Sequence, residues 1–174
     1  MNTDELGSLK SKKPFIIRKA NEADAVAIKN IVDSVASEKY YVVPESSGEW
    51  NKTIREIKNR KGLIIVAQVN NKPIGMAYLV RGKFEKNRHI AFLGITILKG
   101  FRRIGVGTAM MNYLSEWAKE QEELEKISLT VFSTNKQAIS LYRKIGFEIE
   151  GISKKQYKIE GKYIDEIIMG KFLT

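Results

Sequence analysis

Cysteine is absent from this chain of 174 residues, and histidine occurs once, as His89. Without cysteine there is no disulfide, no thiolate metal site and no cysteine nucleophile. A zinc site built from clustered histidines has no second histidine to use. Every apolar run falls short of the roughly 20 residues that a membrane helix requires. The opening Met1-Asn2-Thr3-Asp4-Glu5 lacks the apolar core of a secretory signal. The expectation is a cytoplasmic chain with no membrane partner and no metal.

The length suits one domain with a sizeable core and is too short for two comfortable ones. Charge is the feature out of balance: 30 basic residues against 20 acidic ones leave +10. Such a surface can bind nucleic acid, attract an acidic small molecule, or merely stay solvated. The lysines are scattered rather than interleaved with aromatics, so a nucleic-acid partner is not expected. Lys10, Lys12 and Lys13 belong to a polar stretch, residues 1–14, read as a flexible leader before a single domain over 15–174.

Phe15 to Arg18 reads as a first strand. Asn21 with Asp24 makes a capping-box variant, and Ile28, Ile31, Val32 and Val35 follow at helical spacing. Val42 to Gly48 is a loop, and a second helix is predicted from Glu49 to Arg60. Strands are predicted at Leu63–Val69 and Ile74–Val80, joined through Asn70-Asn71-Lys72. The apolar run from Ile90 to Lys99 reads as a strand buried on both faces, with a first residue as early as His89. Then come a helix over Gly105–Glu120, a strand over Lys126–Phe132 and a helix over Lys136–Ile145. Two last strands, Phe147–Lys158 and Tyr163–Phe172, turn at Glu160-Gly161. The sum is an α/β (α+β) fold, a mixed central sheet of about six to seven strands flanked by about four helices.

The junction Arg102-Arg103-Ile104-Gly105-Val106-Gly107-Thr108 carries the strongest chemical signal. A strand feeds a helix start through glycines. The first helical N–H groups have no intrahelical partner, and the helix dipole is positive there. Glycine lets a phosphate approach the backbone, because no Cβ intervenes. Neither the dinucleotide fingerprint nor the P-loop is present. The pattern Arg-x-x-Gly-x-Gly resembles the pyrophosphate loop of the GCN5-related N-acetyltransferase (GNAT) superfamily. The run Asn135-Lys136-Gln137-Ala138-Ile139-Ser140-Leu141-Tyr142-Arg143-Lys144-Ile145-Gly146-Phe147 resembles the second half of that family's pattern, N-x-x-A-x-x-L-Y-x-x-x-G-F. Phe147 to Gly151 and Glu160 to Asp165 are similar, more weakly, to a branch of amino-acid, small-amine, polyamine and ribosomal-protein N-acetyltransferases.

That resemblance implies a fold, a cosubstrate and a reaction. The fold is the GNAT sheet with its helices. The cosubstrate is acetyl-coenzyme A, whose phosphates suit a basic protein. The reaction is direct attack of a primary amine on the thioester, with no metal. The resemblance sets the pyrophosphate on backbone N–H groups of Arg103, Ile104, Gly105, Val106, Gly107 and Thr108. The pantetheine arm pairs with backbone groups of Ile95, Thr96 and Ile97; the side chains of Ile95 and Ile97 are core by pattern. The Ile97 N–H is the implied donor to the acyl oxygen. Asn135 caps its helix and contacts the pantetheine. Tyr142 reads as a half-buried aromatic by periodicity, whereas the family assigns it the proton donated to the departing thiolate.

The general base is not identified. One branch has a glutamate where this chain has Thr130, and His89, Glu85 and Glu45 are candidates by polarity only. The implied acceptor groove runs along Tyr40–Trp50, with Glu45 and Glu49, and along Lys155–Tyr163. Trp50 is either groove or core. The acceptor is an amine on a small molecule or a protein. A highly cationic polyamine would be repelled by this chain unless acidic residues line the groove. A homodimer, the state of many relatives, stays open. The rival from another class is a catalytically silent acyl-coenzyme A sensor on the same fold.

Overall fold

The computed structural model describes residues 14–39 and 49–173, together with the backbone of residues 5–7. The elements are β1 (Glu5–Gly7), β2 (Phe15–Lys19), α1 (Ala25–Ala36), α2 (Trp50–Asn59), β3 (Leu63–Val69), β4 (Lys72–Arg81), β5 (Ile90–Ile97), α3 (Val106–Lys119), β6 (Lys126–Phe132), α4 (Lys136–Lys144), β7 (Glu148–Ile159) and β8 (Lys162–Phe172). The strands form one sheet in the order β1-β2-β3-β4-β5-β6-β8-β7. Its neighbours run antiparallel except β5 and β6, which are parallel. The sheet has one strand more than expected. That strand is β1, within the stretch read as leader, where Glu5–Gly7 pairs with Phe15–Ile17.

Local chemistry sets the boundaries. Asn21 accepts from the Ala23 N–H and Asp24 accepts from the Asn21 N–H, so the capping box closes around a short 3-10 turn, and α1 starts only at Ala25. Two-residue turns join β3 to β4 and β7 to β8. Asn70 and Asn71 take φ of 48° and 62°, and Glu160 and Gly161 take 49° and 81°. Two consecutive positive φ angles are what a tight hairpin needs to match strand twist, which is why Asn and Gly occupy them.

Helices cover both faces. On one, α1 and α2 bury Ile28, Ile31, Val32, Ile54 and Ile57 against Ile64, Val66 and Met76. On the other, α3 and α4 bury Val106, Met110, Leu114 and Ile139 against Ile65, Ala77, Leu79, Leu129 and Val131. Truncating a side chain such as Leu114 to alanine in such a core costs about 2–5 kcal/mol. The expectation of a β5 buried on both faces is corrected. Only Ala91 and Thr96 of its eight residues are buried. The cause is its pairing with β6, which runs from Ile90↔Lys126 to Phe92↔Ser128 and stops. Beyond that rung the two strands part, and the apolar second half of β5 faces a cleft.

Candidate active site

The cleft between β5 and β6 has backbone on one edge. Leu98 N–H donates to Ile74 O at 3.0 Å, and Gly82 N–H donates to Ile90 O at 2.9 Å. With the register from Gly75↔Ile97 to Arg81↔Ala91, even-numbered residues of β5 therefore bond to β4. Ile95 and Ile97 turn their N–H and C=O groups the other way, past the last rung with β6. Thr96 differs from its neighbours: its backbone pairs with Met76 across the β4 ladder, and only its side chain reaches the cleft. No register shift interrupts the β4–β5 pair. The parting of β5 from β6, rather than a bulge, sets these amides toward the cavity.

A cavity of about 280 Å³ fills this cleft on the α3–α4 side, and Arg102, Arg103, Gly105, Gly107 and Thr108 form its floor. Gly105 is the N-cap of α3 with φ of 93°, a conformation that glycine alone adopts without strain. Arg103 also has a positive φ, 63°, and its side chain is exposed. A Cβ on Gly107 would lie 3.2 Å from Leu141 Cδ2 and 3.4 Å from Ile97 Cδ1, two walls of the cavity. Val106 is buried in the core, and Ile104 packs against it. The turn thus keeps its apolar side chains inward and its glycine backbone toward the cavity. That geometry suits a pyrophosphate, which needs N–H donors at a helix start and close approach.

Asn135 and Tyr142 complete the wall. Asn135 Oδ1 accepts from the Ala138 N–H at 3.1 Å, which leaves its amide NH₂ as a donor on the cavity side. Tyr142 is 7% exposed and packs 5.9 Å, centroid to centroid, from Phe147. Burial pushes its hydroxyl pKa up to about 12. Among the described residues that hydroxyl has no hydrogen-bond partner. A second cavity, also about 280 Å³, lies on the α1–α2 side, walled by Val32, Trp50, Met76, Tyr78 and Leu93. Tyr142, Ile95, Thr96 and Thr130 line both cavities, so the two meet at the tyrosine.

Several expectations fall elsewhere. His89 stands just before β5, whereas the cavities meet at Ile95, toward its other end and roughly 20 Å away at strand rise. Glu85 pairs with Arg88 at 3.4 Å in the β4–β5 turn, far from Tyr142. Glu45, Tyr40 and the rest of residues 40–48 lie outside the described residues. Lys155–Tyr163 lines neither cavity. Its tip comes near the end of α1, where Lys39 pairs with Glu160 at 3.1 Å. Thr130 does stand at the junction, exposed, so the position of the missing glutamate is inside the site. Trp50 is both core and groove: it is buried in the α1–α2 layer and lines the second cavity.

Two features escaped sequence reasoning. Tyr78 lies across from Gly94, and a Cβ at Gly94 would come within 2.4 Å of the Tyr78 ring. An aromatic paired with a glycine was the signal available. The other is a clamp. Arg102 Nε donates to Ile97 O at 2.8 Å, and its Nη atoms reach both Glu38 carboxylate oxygens at 2.8 and 2.6 Å. The Arg102 guanidinium holds the Glu38 carboxyl below the usual carboxylate range. Arg102 is therefore a brace between α1 and the glycine loop. Its partner lies 64 residues away, beyond the reach of any local pattern.

Among the described residues no helix is long and apolar enough to cross a membrane. Residues 29–147 match the family model described as the acetyltransferase (GNAT) family. The L-amino acid N-acetyltransferase of Escherichia coli strain K12 is 30% identical over 159 residues, which cover 90% of this chain and 97% of that protein. An N-alpha-acetyltransferase of Sulfurisphaera tokodaii is 25% identical, over 88% of this chain and 92% of its own. The crystal structure of a GNAT-family acetyltransferase from Streptococcus pneumoniae superposes with a TM-score of 0.82 at 28% identity, covering 92% of this chain and 99% of that one. These relatives give no support to a silent sensor. The chain belongs to the GNAT family, and it is an N-acetyltransferase that moves an acetyl group from acetyl-coenzyme A to an amine.

Proposed function

We propose that the acceptor is an α-amine flanked by an apolar group, on a free amino acid or a peptide N-terminus, and that Tyr142 is the catalytic acid. The observation that carries this reading is the meeting of the two cavities at Tyr142, one edged by backbone donors and the other walled by apolar side chains. Arg103 to Thr108, with Asn135, would hold the cosubstrate, and the Ile95 and Ile97 backbone would pair with its arm. The thioester supplies the acetyl group. Ile97 N–H would donate to the acyl oxygen as it gains charge, a role that needs a donor fixed in advance.

Tyr142 keeps its proton at neutral pH, because burial raises rather than lowers its pKa. It can therefore donate to the departing sulfur, but it cannot take a proton from the amine. An α-amine with a pKa near 8 is about one-tenth neutral at pH 7, whereas a lysine amine is neutral about once in 2,500. With threonine at position 130, an acceptor that sheds its own proton to water is favoured. Two relatives bear names that specify α-amines, an L-amino acid acetyltransferase and an N-alpha-acetyltransferase, and both support this choice.

The test is an amine panel read by release of free thiol. It should contain free amino acids, short peptides of varied first residue, lysine side-chain analogues and polyamines. The expected result is turnover on α-amines beside Leu, Met or Phe side chains, well above that on polyamines. Preference for a polyamine or for an isolated lysine amine would overturn the acceptor reading.

A further inference from the structure

At the far end of the sheet, around the β4–β5 turn, stands a group of charges that acetyl transfer does not use. A cavity of about 320 Å³ opens there. Its walls carry five cations, Arg60, Lys61, Arg81, Lys83 and Arg88, against two carboxylates, Glu85 and Glu123. The walls thus hold +3 of the chain's +10 balance.

Arg81, the last residue of β4, is only 6% exposed. Its Nη1 donates to Glu122 O at 3.2 Å, and its own carbonyl accepts from Arg60 Nη2. Its Nε is buried without a hydrogen-bond partner among the described residues, and so is the Nε of Arg60. Of the carboxylates nearby, Glu56 pairs with Arg60 at 3.7 Å and Glu85 with Arg88 at 3.4 Å, while Glu123 lines the cavity wall. Among the described residues no carboxylate forms an ion pair with Arg81. A buried lysine could lose its proton, but a guanidinium cannot. A neutral carbonyl satisfies one donor and leaves the charge uncompensated, and buried charges are normally paired.

We propose that this cavity is a binding site for a small phosphate-type oxyanion, with Arg81 as its buried counter-charge and Arg60, Lys83 and Arg88 as surrounding donors. Guanidinium forks match the planar pairs of oxygens that phosphate presents. A concave group of cations, mixed with glutamates, fits a compact anion better than an extended nucleic-acid backbone, which calls for a continuous basic stripe. The cavity lies on the opposite end of β5 from the glycine loop, so this site is independent of the acetyl-transfer reading.

The experiment uses the full chain saturated with coenzyme A, which occupies the glycine loop. Inorganic phosphate is titrated against chloride at constant ionic strength, and backbone amide resonances are followed. The expected result is saturable shifts at Lys61, Gly82, Lys83 and Phe84. The double variant Lys83→Gln/Arg88→Gln, on the exposed rim, should weaken phosphate binding by roughly tenfold with coenzyme A affinity and thermal midpoint unchanged. Arg81→Met should abolish the shifts. The double variant keeps the test decisive if Arg81→Met fails to fold. Shifts that never saturate, shifts confined to Gly105 and Gly107, or unchanged affinity in the double variant would each overturn the site. A single-stranded oligonucleotide that competes at the same amides with far higher affinity would replace it with a nucleic-acid surface.

Discussion

The cavity on the α3–α4 side of Tyr142 and the cavity on the α1–α2 side are built from different materials. The first is edged mainly by backbone, the glycine turn at Gly105 and Gly107 and the Ile95 and Ile97 amides, with the side-chain amide of Asn135 beside them. The second is walled by the side chains of Val32, Trp50, Met76, Tyr78 and Leu93. Acetyl-coenzyme A presents the same pyrophosphate and amide groups to every enzyme that uses it. Meeting them takes backbone in one conformation, and only a few residue types allow that conformation, so the demand is written as fixed spacing. An acceptor pocket needs shape and polarity, which many combinations of side chains supply. If the first cavity holds the cosubstrate and the second the amine, as proposed above, the cofactor half leaves a motif and the acceptor half does not.

The contact point between the two halves should show the largest effect. Tyr142→Phe keeps the ring and its packing on Phe147 and removes one hydroxyl. If Tyr142 protonates the leaving thiolate, turnover should fall by roughly 10²-fold or more. Affinity for acetyl-coenzyme A and the thermal midpoint should hardly move, because the loss is felt in the transition state. The acid form dominates below a pKa of about 12, so the wild-type rate should show no limb from this group across neutral pH. The variant's deficit should shrink at lower pH, where solvent protonates the thiolate more readily. Near-normal turnover in a folded Tyr142→Phe protein would leave the tyrosine as packing only.

Next in size is a change confined to the cofactor half. Gly107→Val puts branched carbon against Leu141 and Ile97, which the bare Cβ would already approach to 3.2 and 3.4 Å. Both side chains line the first cavity, so a shift in either reshapes it. Acetyl-coenzyme A affinity measured by calorimetry should drop by about 10- to 100-fold, the consequence of overpacking by about 1–3 kcal/mol. Acceptor selectivity in the amine panel should keep its order. An unchanged affinity would mean that the loop does not cradle the cosubstrate, and a reordered panel would mean that the two halves are not separable.

The same contrast explains what could be read from the sequence. Helix boundaries, the Asn21 capping box, both tight hairpins and the Arg-x-x-Gly-x-Gly turn are local events, each settled by residues within a few positions of one another. They stand in the structure within a residue or two of the reading, except that a 3-10 turn after Asn21 delays α1 to Ala25. Tyr142 needed a motif, since periodicity alone makes it an ordinary core aromatic. Long-range events were beyond that reach. The parting of β5 from β6 depends on where a ladder ends, and the apolar run Ile90–Lys99 is equally consistent with a closed sheet. His89 attracted notice through its polarity, which says nothing about the end of the strand at which a cleft opens. Glu38 and Arg102 meet across 64 positions of sequence.

That clamp joins the two halves, and a change in it should give the smallest but most informative effect. Glu38 lies just past α1, which lends Val35 to the first cavity and Val32 to the second, while Arg102 holds the Ile97 carbonyl. Glu38→Gln keeps the side-chain size and removes the charge that Arg102 engages through two hydrogen bonds. Both apparent Michaelis constants, for acetyl-coenzyme A and for the amine, should rise a few-fold, since a part-buried charge-assisted pair is worth about 1–2 kcal/mol. Stability supplies an independent reading. The Glu38 pKa is lowered from its ordinary 4.5, with the Arg102 hydrogen bonds as the main cause. A carboxylate whose folded pKa is depressed contributes stability that is fully present above the unfolded value and is lost as pH falls through the folded value. Wild type should therefore resist urea better than Glu38→Gln at neutral pH, by a constant margin. That margin should close as pH drops below about 4.5. Asp24 is likewise lowered by Arg18, but it is present in both proteins and cancels in the difference. A margin that persisted unchanged into strong acid would show that the carboxylate charge is not its source. A variant in which only the acetyl-coenzyme A constant moved would show that the brace serves the glycine loop alone.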